Sequence, residues 1–200
     1  MRMRFFRRLI VVIVSICCLS ALATDDKWPL ADKSAVSGGF RQTVRDINGS
    51  IAYTSTGKFS ATRAGRYRWE INSPDHQLFI LNELGFWQWD KDLDVVILRD
   101  APDASTLPLT AIWDGAVNRD KKRLASSDVI PEVGLDSLSV EQISTQIIRV
   151  TAVDALGQES IFDLTIDTAI VPSSTEFVLT VPDGADFYDE SDRMSSPDRQ

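Results

Sequence analysis

The chain has 200 residues, of which 44% are hydrophobic and 25% charged, and its formal net charge is −8. This length and apolar content predict one globular domain and exclude whole-chain disorder, while 10 glycines and 8 prolines exclude a collagen-like or Pro/Gly-rich chain. The acidic balance argues against a nucleic-acid binder, because phosphates would repel the protein.

Residues 1–23 have the pattern of a secretory signal peptide. A basic stretch of four arginines in residues 1–8 precedes an uncharged apolar run over residues 9–22, and Ala21-Leu22-Ala23 fits a small-x-small cleavage site. A retained N-terminal anchor is the alternative, but the run is shorter than the roughly 20 apolar residues of a spanning helix. Cleavage would leave 17 basic residues against 29 acids, a net charge of −12, and would remove Cys17 and Cys18. An exported chain without cysteine predicts a bacterial periplasmic protein that uses neither disulfides nor thiol chemistry.

The rest of the chain has the pattern of short strands separated by turns. Residues 24–38 leave room for one short helix, and Asn48-Gly49 is a strong hairpin signal. A second, weakly periodic helix is predicted at 107–113, in a stretch that also holds a basic cluster at 119–123. Strands are predicted at 39–44, 50–54, 56–63, 66–72, 77–81, 86–89, 93–99, 146–153, 159–167 and 176–181.

These elements predict a mainly β fold of the α+β type. Turn signals every eight to twelve residues indicate a meandering antiparallel sheet, which must cover at least one apolar face. Because only one or two short helices are available, we expect a curved sheet forming an incomplete barrel with a short helical lid. The expected organisation is a signal peptide at 1–23, a single domain at 24–188 and a polar tail at 189–200.

Catalytic and metal-binding patterns are weak. His76 is the single histidine, and no Gly-x-Ser-x-Gly elbow accompanies it, so a turn histidine is the simpler interpretation. Asp90-x-Asp92-x-Asp94 has calcium-loop spacing, but Ala101 stands at the twelfth position, where such a loop needs Glu. We therefore interpret it as a turn. We expect that the protein is not an enzyme and that it binds neither a metal ion nor a cofactor.

The basic cluster at 119–123 is interpreted as a solvated loop. The alternative is that it contacts an acidic partner or lipid headgroups.

Aromatic residues are concentrated between positions 40 and 89. They include Phe40, Phe59, Tyr67, Trp69, Phe79, Phe86, Trp87 and Trp89. Strand alternation places Arg63, Tyr67, Trp69 and Ile71 on one face. A packed core and an apolar ligand cavity both explain this concentration, and periodicity alone does not separate them.

One stretch resembles the LolA family of periplasmic lipoprotein carriers. Residues 57–70 match a family strand pattern through Gly57, Phe59, Arg63, Tyr67, Trp69 and Glu70. Phe40-Arg41-Gln42-Thr43 upstream, Trp87-Gln88-Trp89-Asp90 downstream and the ending at 177–186 extend the similarity. The resemblance covers 39–99 and 146–186 and is weak between them.

The resemblance implies a half-open barrel that carries lipoproteins through the periplasm. It further implies a monomer that receives cargo from an inner-membrane ABC transporter (LolCDE-like) and passes it to an outer-membrane acceptor (LolB-like). The matching family arginine hydrogen-bonds the lid when no lipid is bound, so Arg63 is the expected lid latch. The expected cavity residues are Phe40, Phe59, Tyr67, Trp69, Ile71, Leu78, Ile80 and Trp87.

The chain also departs from the family pattern. Ala64 stands where the family has proline, Asn82–Gly85 replaces an Asp-Gly-Lys turn, and the lid region at 102–139 matches poorly. These departures leave two alternatives to lipoprotein transport. The chain is then either a carrier of another lipid, such as a glycolipid, or a lipid-sensing or interaction protein that does not transport.

Overall fold

The computed structural model describes residues 28–102, 111–113, 115, 117–120 and 135–192. Its strands are β1 (Ala35–Arg45), β2 (Ile51–Thr62), β3 (Tyr67–Ser73), β4 (Gln77–Asn82), β5 (Gly85–Asp90), β6 (Val95–Arg99), β7 (Val117–Asp120), β8 (Leu135–Gln142), β9 (Ile147–Asp154), β10 (Glu159–Asp167) and β11 (Asp186–Asp189). Helical structure in these ranges includes the 3-10 helix Ser174–Phe177 and a 3-10 turn at 111–113. The predicted signal peptide at 1–23 and the tail beyond residue 192 lie outside the described residues.

All these strands form one sheet, in the order β11-β6-β5-β4-β3-β2-β1-β10-β9-β8-β7. Neighbouring strands are antiparallel except for β11, which runs parallel to β6. Among the described residues, β11 lies at one edge of the sheet and β7 at the other, so the sheet is open and curved. The predicted mainly β, incomplete-barrel architecture is confirmed. Across the described ranges, no helix is long and apolar enough to cross a membrane.

Several predicted elements differ from the observed ones. The stretch 24–38, where a short helix was expected, contains turns at 29–32 and the start of β1. Of the predicted helix at 107–113, residues 111–113 form a 3-10 turn and 107–110 lie outside the described residues. The predicted strand at 176–181 is wrong, because the Glu176 side chain accepts a hydrogen bond from the Ser173 backbone and starts the 3-10 helix.

Strand alternation gives the sheet two apolar faces. The inner face carries the larger core, to which β1, β2, β3, β8, β9 and β10 contribute. The outer face carries a smaller cluster from β4, β5 and β6, consisting of Leu78, Ile80, Trp87, Val96 and Leu98. Both faces exclude water only where other parts of the chain cover them.

The C-terminal segment covers the outer face. Leu179, Val181 and Ala185 pack on the outer cluster, and β11 then extends the sheet beside β6. Phe177 is fully buried, and its carbonyl accepts a hydrogen bond of 2.8 Å from the Asn82 side chain. This cover is therefore held by apolar packing, side-chain hydrogen bonds and strand pairing together.

Two glycines allow the inner aromatic rings to pack against neighbouring strands. A Cβ at Gly57 would lie 1.8 Å from the Glu70 carbonyl oxygen and 2.7 Å from the Phe40 ring. A Cβ at Gly38 would lie 1.9 Å from the Thr165 carbonyl oxygen and 3.2 Å from the Phe59 ring. Both positions are strand interiors in which another backbone approaches too closely for any side chain.

We expect Gly57→Ala to lower the free energy of unfolding by about 1–3 kcal/mol, because the added methyl would displace β3 or the Phe40 ring. Gly39→Ala is the matched control, since its nearest contact would be an ordinary 3.6 Å. Urea unfolding of both variants measures the difference, and equal stability would contradict the close approach.

An ion cluster lies on the outer face of β3. Glu70 accepts hydrogen bonds from Arg68, at 3.0 Å, and from Lys91. Arg68 also donates to the Glu176 carbonyl at 3.2 Å, and the Ser60 hydroxyl donates to the Glu176 carboxylate at 2.9 Å. Burial raises the pKa of Glu70, but the hydrogen bonds and charges of Lys91 and Arg68 outweigh burial and hold the pKa below its usual value of 4.5.

Because its pKa is lower in the folded state, ionised Glu70 stabilises the protein above about pH 4.5, and this contribution is lost as the pH falls through the folded-state pKa. We expect Glu70→Gln to cost about 1 kcal/mol at pH 7 and to make stability less sensitive to acid. Denaturant unfolding between pH 7 and pH 3 tests this. Glu83→Gln removes the exposed partner of Arg66 and serves as the control, with a smaller expected effect.

Candidate functional site

An apolar cavity of about 210 Å³ lies on the inner face of the sheet. Its lining is entirely aromatic or aliphatic, and Tyr67 contributes the one side-chain hydroxyl. The lining residues are Phe59, Ala61, Tyr67, Trp69, Phe79, Leu81, Phe86, Ile112, Phe162 and Leu164. Such a lining can shelter hydrocarbon.

Strand register brings the lining residues together. In one cross-strand row, Phe59 pairs with Trp69 and Trp69 with Phe79. In the next row, Ala61 pairs with Tyr67, Tyr67 with Leu81 and Leu81 with Phe86. Directly opposed residues of antiparallel strands share a face, so the cavity is faced by one apolar row from β2 to β4 and by a second from β2 to β5.

Aromatic packing closes one end of the cavity. The Phe40 ring stacks on Trp69 with ring centroids 3.7 Å apart, while Phe59 and Phe162 lie 6.0 and 5.8 Å from the same indole. Phe40 and Ile71 are therefore part of the inner core but do not line the cavity. Of the eight expected cavity residues, Phe59, Tyr67 and Trp69 line it.

The other three expected cavity residues lie on the opposite face. Leu78, Ile80 and Trp87 belong to the outer cluster beneath the C-terminal segment, so their placement in the cavity was wrong. Along β4 the inward residues are Phe79 and Leu81 instead. The physical reason is the register between β3 and β4. Phe79 pairs with Trp69 and shares its inward face, so alternation along β4 points Leu78 and Ile80 outward.

Sequence reasoning missed several lining residues. They are Ala61, Phe79, Leu81, Phe86, Ile112, Phe162 and Leu164. Phe79 and Phe86 were visible in the aromatic concentration, and extending the Tyr67/Trp69 face across the β3–β4 turn would have selected Phe79 and Leu81. Phe162 and Leu164 lie on β10, which reaches the site through β1 and carries no local signal of that proximity.

A cap of two short segments, residues 28–34 and 111–113, covers the inner face beside the cavity. Ala111, Ile112 and Trp113 are 4%, 1% and 9% exposed, and Ile112 reaches the cavity wall. The Trp28 indole donates a 2.8 Å hydrogen bond to the Ile112 carbonyl and so joins the two segments.

Arg63 holds the cap from the turn between β2 and β3. Its guanidinium donates to the carbonyl oxygens of Leu30 at 2.9 Å, Ala31 at 3.3 Å and Lys33 at 3.2 Å. The guanidinium carbon also lies 4.9 Å from the centre of the Trp113 ring. One exposed side chain thus contacts both segments of the cap through charge-assisted hydrogen bonds and a cation–π contact.

The cavity is small for a ligand site, because pockets that enclose small molecules typically measure about 300–1,000 Å³. A ligand with long hydrocarbon chains therefore requires the cap to move and the Ile112 side chain to leave the wall. The apolar lining and the polar fastening of the cap make such an opening a two-state change that an apolar ligand can drive.

The other candidate sites have structural roles. Asp90 accepts backbone hydrogen bonds from Asp92 and Leu93, and Asp92 accepts from the His76 backbone and ring, so the Asp-x-Asp-x-Asp stretch builds a turn as predicted. Among the described residues, no three His, Cys, Asp or Glu side chains are grouped to hold a metal ion. A wider groove of about 1,040 Å³ on the outer face has a mixed lining, in which the charged Arg68–Glu70 pair lies among apolar and uncharged polar residues.

Comparison with known proteins identifies relatives of one kind. The family model LolA, described as outer membrane lipoprotein carrier protein, matches residues 32–180. A protein named outer-membrane lipoprotein carrier protein from Xanthomonas axonopodis pv. citri (strain 306) is 31% identical over 62% of this chain and 67% of its own length. A protein of the same name from Psychromonas ingrahamii is 26% identical over 90% of this chain and 98% of its own length. Among solved structures, an uncharacterized conserved protein from Thermus thermophilus matches with a TM-score of 0.45 and 12% identity, covering 76% of this chain and 91% of that one.

We expect Arg63→Leu to loosen the cap without unfolding the sheet, because Arg63 is exposed and acts through cap carbonyls. Amide hydrogens of Ala31 and Lys33, which bond within the cap, should exchange about tenfold faster, since a hydrogen bond to a charged group contributes about 1.5 kcal/mol. Arg66→Leu, in the same turn but paired with Glu83, is the control. Equal exchange in both variants would contradict the fastening role of Arg63.

Proposed function

This chain belongs to the LolA family, and from that premise we propose that it is a periplasmic carrier whose inner-face cavity binds the acyl chains of lipoproteins. The relatives' name, outer-membrane lipoprotein carrier protein, supplies the cargo class. The single observation that carries the proposal to this chain is the wholly apolar cavity under a cap that polar contacts fasten. No catalytic step is assigned to it.

The driving force for loading is the burial of hydrocarbon. Each methylene removed from water contributes about 0.8 kcal/mol, so even part of an acyl chain outweighs the few hydrogen bonds that hold the cap. Cargo takes the place of Ile112 against Phe59, Phe79 and the other wall residues. Arg63 then exchanges the carbonyls of the cap for water, which satisfies an exposed guanidinium at little cost.

The family premise also suggests the direction of transfer and the partners. An inner-membrane ABC transporter of the LolCDE type would supply the lipoprotein, and an outer-membrane acceptor of the LolB type would receive it. Transport between the two membranes requires export, which the predicted signal peptide at 1–23 would provide. The exported carrier is proposed to act as a monomer, since the cavity lies within one sheet.

A synthetic triacylated lipopeptide should bind the protein, and the same peptide without acyl chains should not. Ala61 lines the cavity and is 2% exposed, so Ala61→Leu fills space that the acyl chains need and should weaken binding about tenfold. Ala185→Leu makes the same change over the outer cluster and should bind like the wild type. Fluorescence titration measures the affinities, with Trp69 in the cavity wall as the reporter.

Equal binding by both variants would refute the cavity as the acyl site. A transfer assay then separates a carrier from a sensor, because a carrier accelerates movement of the lipopeptide from donor to acceptor vesicles. Binding without accelerated transfer would favour the lipid-sensing alternative. Preferential binding of a glycolipid over the lipopeptide would favour the carrier of another lipid.

A further inference from the structure

Two neighbouring hairpin turns at one end of the sheet are built in the same way. The turns are residues 46–50, between β1 and β2, and residues 154–158, between β9 and β10. Each begins with an aspartate, Asp46 or Asp154, whose carboxylate accepts two backbone hydrogen bonds from the third and fifth residues of its turn. Each has glycine in fourth position, with φ of 80° at Gly49 and 81° at Gly157. The repeated geometry makes both turns rigid.

These turns expose aliphatic side chains where turns normally expose polar ones. Ile47 is 73% exposed, Leu156 is 83% exposed, and Ile51 beside them is 60% exposed. The two turns are in contact, because a Cβ at Gly157 would lie 3.4 Å from the Ile47 side chain. The pairing of Arg45 with Glu159, across β1 and β10, fixes this neighbourhood. We call Ile47, Ile51 and Leu156 the aliphatic tip.

The shape of the aliphatic tip favours a lipid surface over a protein. It protrudes from the end of a sheet, so a protein partner would need a matching concave pocket, whereas a bilayer adapts to a protruding side chain. Preorganised turns lose little conformational entropy on insertion, which favours binding by a small apolar surface.

The charge around the tip selects the kind of lipid. Within residues 45–51 and 154–159, the charged side chains are the carboxylates of Asp46, Asp154 and Glu159 and the guanidinium of Arg45. This local excess repels a surface rich in anionic headgroups and complements the outward ammonium groups of zwitterionic ones. The net charge of −8 for the whole chain also disfavours binding to anionic lipid surfaces.

We propose that the aliphatic tip docks the protein on zwitterionic lipid bilayers. The site is distinct from the cavity, because the capped end of β2 at Thr62 lies roughly 35 Å along the strand from Ile51. Docking through the tip therefore leaves Arg63 and the cap accessible. The inference does not rest on the proposed carrier function, since it uses neither the cavity nor the cap.

Flotation with phosphatidylcholine/phosphatidylethanolamine vesicles tests the proposal. The exported protein, its N-terminus checked by mass spectrometry, should bind these vesicles, and Ile47→Ser/Leu156→Ser should reduce binding about tenfold. Leu84→Ser/Val171→Ser, which changes exposed aliphatic residues elsewhere, should bind like the wild type. Replacing part of the lipid with phosphatidylglycerol at low salt should weaken binding.

A label at the tip reports insertion directly. The exported protein lacks Cys17 and Cys18, so an introduced cysteine is the single thiol to label. An environment-sensitive fluorophore on Ala155→Cys should shift its emission to the blue when vesicles are added. The same label on Ala169→Cys, just beyond the other end of β10, should not shift. The proposal is overturned if the wild type fails to bind zwitterionic vesicles, as it would if a protein were the partner. Equal binding by the two double variants, or preference for anionic vesicles, would also overturn it.

Discussion

The structure depends on covering a single sheet that is apolar on both faces. Alternation along β4 makes this unavoidable, since Leu78 and Ile80 point outward while Phe79 and Leu81 point inward. The outer cluster is covered by a long segment that packs, hydrogen-bonds through Asn82 and ends in strand β11. The inner face near the cavity is covered by short segments held by Arg63 and Trp28. The two covers differ in kind, because packing and strand pairing hold the outer one, while hydrogen bonds from Arg63 and Trp28 fasten the inner one.

Much of this arrangement follows from local sequence. The hairpin at Asn48-Gly49 forms as predicted, with Gly49 in the positive φ region that its turn requires, and the alternation of Tyr67 and Trp69 correctly identifies the inner face. The expectation that Leu78, Ile80 and Trp87 line the cavity fails because apolar character alone does not show which face of the sheet a residue occupies. On a sheet with two apolar faces, only the register between strands determines which residues point inward.

Other features have no local signal. Strand β11 pairs in parallel with β6 from about ninety residues away, so neither stretch indicates the other in the sequence. A long separation in sequence also conceals that Phe162 and Leu164 line the cavity, which they reach because β10 pairs with β1. Conversely, the sequence predicts a strand at 176–181, but the Glu176 carboxylate accepts a hydrogen bond from the Ser173 backbone at the start of a 3-10 helix. It also accepts a hydrogen bond from the Ser60 hydroxyl, which anchors the outer cover.

The atoms that accept hydrogen bonds from Arg63 explain why the cap can be held in place without a particular sequence. Arg63 donates to the main-chain oxygens of Leu30, Ala31 and Lys33, and Trp28 donates to the main-chain oxygen of Ile112. The accepting atoms are main-chain carbonyl oxygens, so these hydrogen bonds depend on the path of the cap and on the Arg63 and Trp28 donors. The contact of Arg63 with the Trp113 ring depends on a cap side chain as well. The weak resemblance at 102–139 and the alanine at position 64 are therefore compatible with a cap fastened by Arg63. The contact of Ile112 with the cavity wall does depend on a side chain, and it is the contact that an acyl chain would replace.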